Sequence, residues 1–383
     1  MLTEDGCLKR RQNLWKRLPT DVAWVLIGDA RHVQYFSNFR LNPVSFSADQ
    51  KCLLLLTRDG GATLIADNFT RRTSTLDVFA DEQIIPWYNH KTSVENRSHA
   101  LIDGLNQVRG TLEQGQGLLE TEGVSAMVAE SLGAAAQTSF TKDGSSVTLG
   151  TLIRSLRRSK LPDEVELLRR CMQACDAGHE AAFDLVQVGV SELDVYLGIQ
   201  QAAQQAAGCA CVVYGDFRAT NAEAPKAGGL PGAYVLQDGD LFIVDYSVII
   251  HGYRSDFTNT IAVGAPTDAQ RKQFEVCRAA LEAAEATLRA GVAAKDVYQA
   301  ASDVLVQNGY PAMGHHCGHG LGMEHPESPI LVPQSTDTLV AGDVVTIEPG
   351  LYVEGVGGMR FEHNYLVSDS GSERLSNHRL GLV

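Results

Sequence analysis

The chain has no run of eighteen or more apolar residues, the length a helix needs to cross a bilayer. Its opening stretch, MLTEDGCLKRRQNLWKRL, is polar from the start and lacks the apolar centre of a secretory signal. Excess positive charge is missing as well. Acidic side chains number 46 against 32 basic ones, and the net charge of −14 disfavours nucleic acid and anionic membrane as partners. The eight cysteines, at 7, 52, 171, 175, 209, 211, 277 and 317, form no CxxC pair of the zinc-binding kind. They read as buried, reduced thiols, Cys317 included, in a cytoplasmic protein. With 383 residues, 44% hydrophobic and 20% charged, the chain can build two ordinary cores.

The first segment, 1–158, reads as an α/β domain. Residues 22–27, 51–56 and 61–66 are strand-like, and Asp59-Gly60-Gly61 supplies a turn between the last two. It has no clustered acids or histidines; His32 and His90 stand alone. A basic stretch from Arg154 to Lys160 precedes Leu161-Pro162-Asp163-Glu164. Proline with acids in the first turn predicts a long helix to about residue 186. The second segment, 159–383, carries an internal echo. GVSELDVY begins at Gly189 and GVAAKDVY at Gly291, each after a long helical stretch and each opening a shorter helix. The repeat predicts two related α/β halves.

Chemistry concentrates in the last third. Residues 241–247 and 253–263 are apolar, β-branched runs around a turn at 248–252, and Asp245 and Asp256 lie within them. Folded about residues 250–251, this hairpin sets Asp245 opposite Asp256, with Cβ atoms roughly 5 Å apart. A second hairpin, 344–348 returning through 359–367 about Gly355, sets Glu348 opposite Glu362. His319, in a GHGLG stretch, completes the set. Four converging carboxylates would raise one another's pKa severely unless cations offset them. Asp245, Asp256, His319, Glu348 and Glu362 therefore read as ligands of two divalent ions, a site that activates water against an amide or ester.

In the contexts GYRSDFTNT, GHGLG, IEPGLY and GGMRFE, these residues resemble the M24 metallopeptidases with the pita-bread fold. That family includes methionine aminopeptidases, aminopeptidase P, prolidase and the metal-free creatinase. HVQYFSNF, at residues 32–39, is similar to a stretch of the prolidase and creatinase N-terminal domain. The resemblance covers nearly the whole chain. It implies a creatinase/prolidase-like α/β domain at 1–158, a pseudo-twofold pita-bread domain at 159–383, and a homodimer. Manganese is the implied metal, with cobalt, zinc or iron as alternatives. Asp245 would ligate one ion, His319 and Glu348 the second, Asp256 would bind near both from one side, and Glu362 would bridge them from the other. Glu348 would also move the proton. Arg360 matches an arginine set near the substrate in proline-specific members, or it steadies the acids as a salt bridge.

Two departures bear on substrate. Family members carry a histidine in a PHG-like loop before the first metal aspartate; here the stretch is Pro225-Lys226-Ala227-Gly228-Gly229. They carry another seven residues after the metal histidine; here His325 comes one residue early. His325 is the candidate for holding the oxyanion, and His315, His316 or His363 are substitutes. The reading is a dinuclear exopeptidase acting on short peptides at Xaa-Pro bonds. The alternatives are a creatinase-like hydrolase of a non-peptide amide and a non-catalytic binding module.

Overall fold

The computed structural model describes every residue except 42–50, 73, 75 and 92–95. The chain divides into two compact units, Met1–Arg157 and Arg158–Val383.

The first unit is built on a sheet of β1 (Val22–Ile27), β2 (Cys52–Thr57), β3 (Ala62–Asp67), β4 (Asp81–Ile85), β5 (Gln116–Leu119) and β6 (Ala136–Gln137), in the order β4-β3-β2-β1-β5-β6. β1, β2 and β3 pair antiparallel, while β4, β5 and β6 join in parallel. VAWVLI and CLLLLT are continuous apolar runs because central strands bury both faces. Trp24, Leu26, Leu53, Leu55 and Ile65 pack with Leu101 and Leu105 of the helix Arg97–Gln107. β2 and β3 each lie one residue later than the sequence predicts. His32 is a core residue, its imidazole against the Glu120 carboxylate and 3.1 Å from Arg157. A short hairpin of β7 (Phe140–Lys142) and β8 (Ser145–Val147) precedes the helix Leu149–Arg157.

The second unit opens with the predicted long helix, Pro162–Leu185, followed by Glu192–Ala207. β9 (Val212–Thr220), β10 (Leu241–Ile250), β11 (Tyr253–Arg254) and β12 (Phe257–Ala262) form one sheet, with β9, β11 and β12 all against β10. The helices Asp268–Glu285 and Ala294–Gln307 begin the second half. β13 (His319–Gly320), β14 (Glu327–Ile330), β15 (Val344–Ile347), β18 (His363–Val367) and β19 (Ser372–Arg374) make a five-stranded sheet, and β16 (Gly350–Val353) pairs with β17 (Gly357–Arg360).

The internal echo is real at the level of single hydrogen bonds. Gly189 N–H donates to Leu236 O and Leu236 N–H to Val190 O; in the second half, Gly291 N–H donates to Leu339 O and Leu339 N–H to Val292 O. Asp240 Oδ2 accepts from Gln237 N–H, as Asp343 Oδ2 accepts from Val340 N–H. Each half thus reaches its acid-bearing strand through the same turn, which delivers Asp245 and Glu348 to equivalent places.

Register separates the two halves. Glu348 and Glu362 continue the ladder in which Ile347 faces His363 and Gly350 faces Arg360, as the sequence predicts. The ribbon is split there into two sheets. In the first half, Asp245 faces Thr258 rather than Asp256. The turn is His251-Gly252, with φ of 49° and 82°. A two-residue hairpin turn of the mirror-image class needs positive φ at both positions, and glycine at the second meets that cheaply. Moving the turn by one residue, from 250–251 to 251–252, shifts the partner of Asp245 by two. Because side chains alternate with a period of two, Asp256 stays on the predicted face.

Candidate metal centre

The five predicted residues come together. Asp245 projects from β10, Asp256 lies between β11 and β12, His319 is on β13, and Glu348 and Glu362 follow β15 and β17. Ligand-capable oxygens of Asp245, Asp256 and Glu362 lie within 4.8 Å of one another, as do those of Asp256 with the ring nitrogens of His319 and His325. Glu348 joins through His319, whose Nε2 is 3.5 Å from Glu348 Oε1 and 3.6 Å from Asp256 Oδ2.

The backbone around each acid is tied down. Asp256 N–H donates to Asn364 Oδ1 at 3.1 Å, and Asn364 Nδ2 donates back to Asp256 O. Glu362 N–H donates to Thr258 O at 3.0 Å, and Thr258 Oγ1 donates to Glu362 Oε2 at 2.7 Å. Glu348 N–H donates to Cys317 O at 2.7 Å. Positions held this way suit ligands, which need fixed geometry more than stability.

Electrostatics expose the strain of the acids alone. Burial drives the Glu362 carboxyl well above its ordinary range, and Glu348, Asp256 and Asp245 add to this. Its Oε1 is buried without a hydrogen-bond partner among the described residues. Burial lifts Asp245 to about 6 despite Arg360, with Asp256, Glu348 and Asp216 adding to the rise. Burial would raise Asp256 and Glu348 too. Contacts to His325 and Arg254 at Asp256, and to His316 and Arg360 at Glu348, bring both down to about 2.

His319 is the most telling group. Its Nδ1 sits 2.9 Å from Gly320 O, and a carbonyl only accepts, so Nδ1 carries the hydrogen. Burial depresses its pKa, which favours the neutral ring. The Nε2 lone pair then faces two carboxylates, a repulsive arrangement that a cation between them turns into coordination. The orphaned Glu362 oxygen and this lone pair fit a divalent pair.

Of the other predicted residues, His325 Nε2 lies 2.7 Å from Asp256 Oδ2, so its early position in sequence does not remove it from the centre. Arg360 contacts Asp245, reaches Asp216 Oδ2 at 3.2 Å and donates to Tyr352 Oη at 2.9 Å. His315 and His316 line a cleft of about 390 Å³ beside the acids, with Lys226, Glu348, Tyr352 and Arg360. His363 points elsewhere, bonded to Ser376 and packed on His378. Cys317 is buried and its thiol is pushed up by that burial. Sequence reasoning missed Asp216, directly across from Asp245 on β9, and Tyr352. Asp216 lies in VVYGDFRAT, where no alternation marks a strand, so no sequence signal set it beside Asp245.

The sequence model of metallopeptidase family M24 matches residues 166–369. An uncharacterized peptidase of Staphylococcus saprophyticus is 31% identical over 232 residues, and the Xaa-Pro dipeptidase of Pyrococcus furiosus is 28% identical over 226. Each alignment covers 59% of this chain and 65% of the relative, so the match spans a little under two thirds of those proteins. Among solved structures, the Xaa-Pro dipeptidase from Bacillus anthracis superposes with a TM-score of 0.79 at 23% identity, covering 100% of this chain and 99% of that one. A dipeptidase from Pyrococcus horikoshii gives 0.76 at 25% identity, covering 98% and 99%. With more than half its length matched and the fold shared end to end, the chain belongs to metallopeptidase family M24.

Proposed function

We propose that the protein is a dinuclear metal-dependent exopeptidase that hydrolyses short peptides at Xaa-Pro bonds. The observation that carries it is the convergence of Asp245, Asp256, His319, Glu348 and Glu362, with a neutral imidazole lone pair aimed between carboxylates. The names of relatives support the Xaa-Pro choice: dipeptidases of that class occur among both the sequence and the structural matches. These five groups would hold the divalent cations, which when bound would supply Lewis acidity toward the scissile carbonyl and lower the pKa of water. Manganese suits the oxygen-rich ligand set.

In this reading each remaining group has a task. Glu348 takes a proton from the attacking water and returns it to the leaving nitrogen. His325 donates Nε2–H to the developing oxyanion, leaving Asp256 to do so. Arg360, paired with Asp245 and Asp216, orients Asp245, which also receives the peptide's free ammonium. The protein acts as a homodimer in the cytoplasm; eight unpaired thiols fit a reducing compartment. No described helix is long and apolar enough to cross a membrane.

Metal analysis combined with a dipeptide panel under manganese, cobalt and zinc tests the proposal. Two equivalents of metal and turnover of Ala-Pro are expected. Full metal loading with no cleavage of any Xaa-Pro peptide would overturn the substrate assignment.

A further inference from the structure

We propose that Lys226 is a specificity-determining residue of the cleft beside the acids, binding a substrate carboxylate on the leaving-group side of the scissile bond. The inference rests on the peptidase reading above. Lys226 belongs to the stretch that departs from the family pattern, and the structure puts that stretch in the cleft wall.

The loop is anchored rather than free. Gly229 N–H donates to Asp216 Oδ1 at 2.6 Å, and Asp216 is held in turn by Arg360. A Cβ added at Gly358 would fall 2.1 Å from Pro225 O, so β17 and the loop lie in tight contact. On this support the Lys226 ammonium sits 5.5 Å over the Tyr352 ring, whose hydroxyl accepts from Arg360.

Charge decides what the cleft accepts. Arg360 is paired with Asp245 and Asp216. Among the described residues no carboxylate is in ion-pair distance of Lys226. Among the described residues, then, Lys226 presents an ammonium at the wall without an ion-pair partner. A short peptide has a cationic end and an anionic end; the ammonium is repelled here and drawn towards Asp245, so the carboxylate faces Lys226.

Two sources supply that carboxylate: the terminus of a dipeptide, or an acidic side chain farther along a longer peptide. The test compares Ala-Pro, Ala-Pro amide and Ala-Pro-Glu amide on the metal-loaded enzyme and on Lys226→Gln. Wild type is expected to favour Ala-Pro over its amide by about fivefold in kcat/KM, as befits a charge-assisted contact from an exposed lysine. Lys226→Gln should erase that preference through KM with kcat nearly unchanged. A loss confined to Ala-Pro-Glu amide assigns the carboxylate to the side chain and still supports the role of Lys226. A preference that survives Lys226→Gln, or a wild type that distinguishes neither Ala-Pro nor Ala-Pro-Glu amide from Ala-Pro amide, overturns it. NMR titration with N-acetylproline and N-acetylproline amide separates this from the activity itself. If no Xaa-Pro peptide is cleaved, tighter binding of the acid that vanishes in Lys226→Gln sustains the inference, and equal binding refutes it.

Discussion

Acid should weaken this protein through histidines that never touch substrate, and His179 gives the clearest case. Its ring is fully buried between Tyr246 and Phe257, at centroid distances of 4.9 and 5.1 Å, with His378 at 4.6 Å. Nε2–H donates to Phe257 O at 2.9 Å. Burial drives its pKa down to about 3, and His378 falls well below its ordinary value for the same reason, reinforced by His179 and His363. The sign follows from linkage. Below pH 6.5 the unfolded chain takes up a proton that the folded ring refuses, so stability falls as pH falls until about pH 3. Above pH 6.5 both forms are neutral and the term vanishes. Each pH unit costs about 1.4 kcal/mol per histidine, so His179 alone removes about 2 kcal/mol between pH 6.5 and pH 5. His179→Phe keeps the stacking and deletes the proton site. At pH 7 it should lose about 1 kcal/mol from the abandoned carbonyl. At pH 5 it should equal or exceed wild type. Urea unfolding of both proteins at pH 7, 6 and 5, under one metal concentration, reads the difference in slope. Parallel pH dependences would show that the ring is solvated or charged in the native state, and the reasoning would fail.

Glu362→Gln should act in opposite directions with and without metal. In chelated protein the substitution relieves a carboxyl that burial, reinforced by three other acids, holds above its normal range, so thermal stability rises; loaded protein loses a ligand and its activity. The linkage sign agrees: the raised pKa gives stability that is full below the unfolded value near pH 4.5 and lost as pH rises, so the apo advantage of the variant should grow from pH 5 to pH 8. Equal apo melting temperatures across that range would sink the point. Gly252→Ala should cost about 1 kcal/mol, since its φ of 82° is left-handed, and a thermal melt without a downward shift would place the hairpin turn elsewhere.

Much of the centre was legible because ionised groups inside apolar strands demand a partner, and alternation tells which face they share. That argument found all five converging residues and the Glu348–Glu362 register. It did not find Asp216. β9 reads VVYGDFRAT, with burial on neither clean face, so no alternation marked it as a strand beside β10. Tyr352 was missed for a similar reason: an aromatic on a four-residue strand carries no charge whose burial must be explained. The strands of the first unit were legible to within one residue because VAWVLI and CLLLLT leave no other way to bury their apolar atoms.

The register of the first hairpin decides how the site is built. With Asp245 facing Thr258 and Glu348 facing Glu362, Thr258 stands where the second half has Glu362, and Asp256 where it has Arg360. The repeat therefore does not supply two equivalent acid pairs. It supplies one cross-strand pair, one diagonal pair, and an arginine in the equivalent place of an aspartate. Arg360 reaches across to Asp245, and Thr258 donates to Glu362, so each half fills what the other lacks. A symmetric four-acid site would leave its Glu362 equivalents facing one another with no donor between them. The observed asymmetry gives Glu362 a donor at Oε2 and leaves its Oε1 buried without a hydrogen-bond partner among the described residues. Two copies of one fold thus make a centre whose parts have become unlike, and the hydroxyl at position 258 is as much a part of it as the acids are.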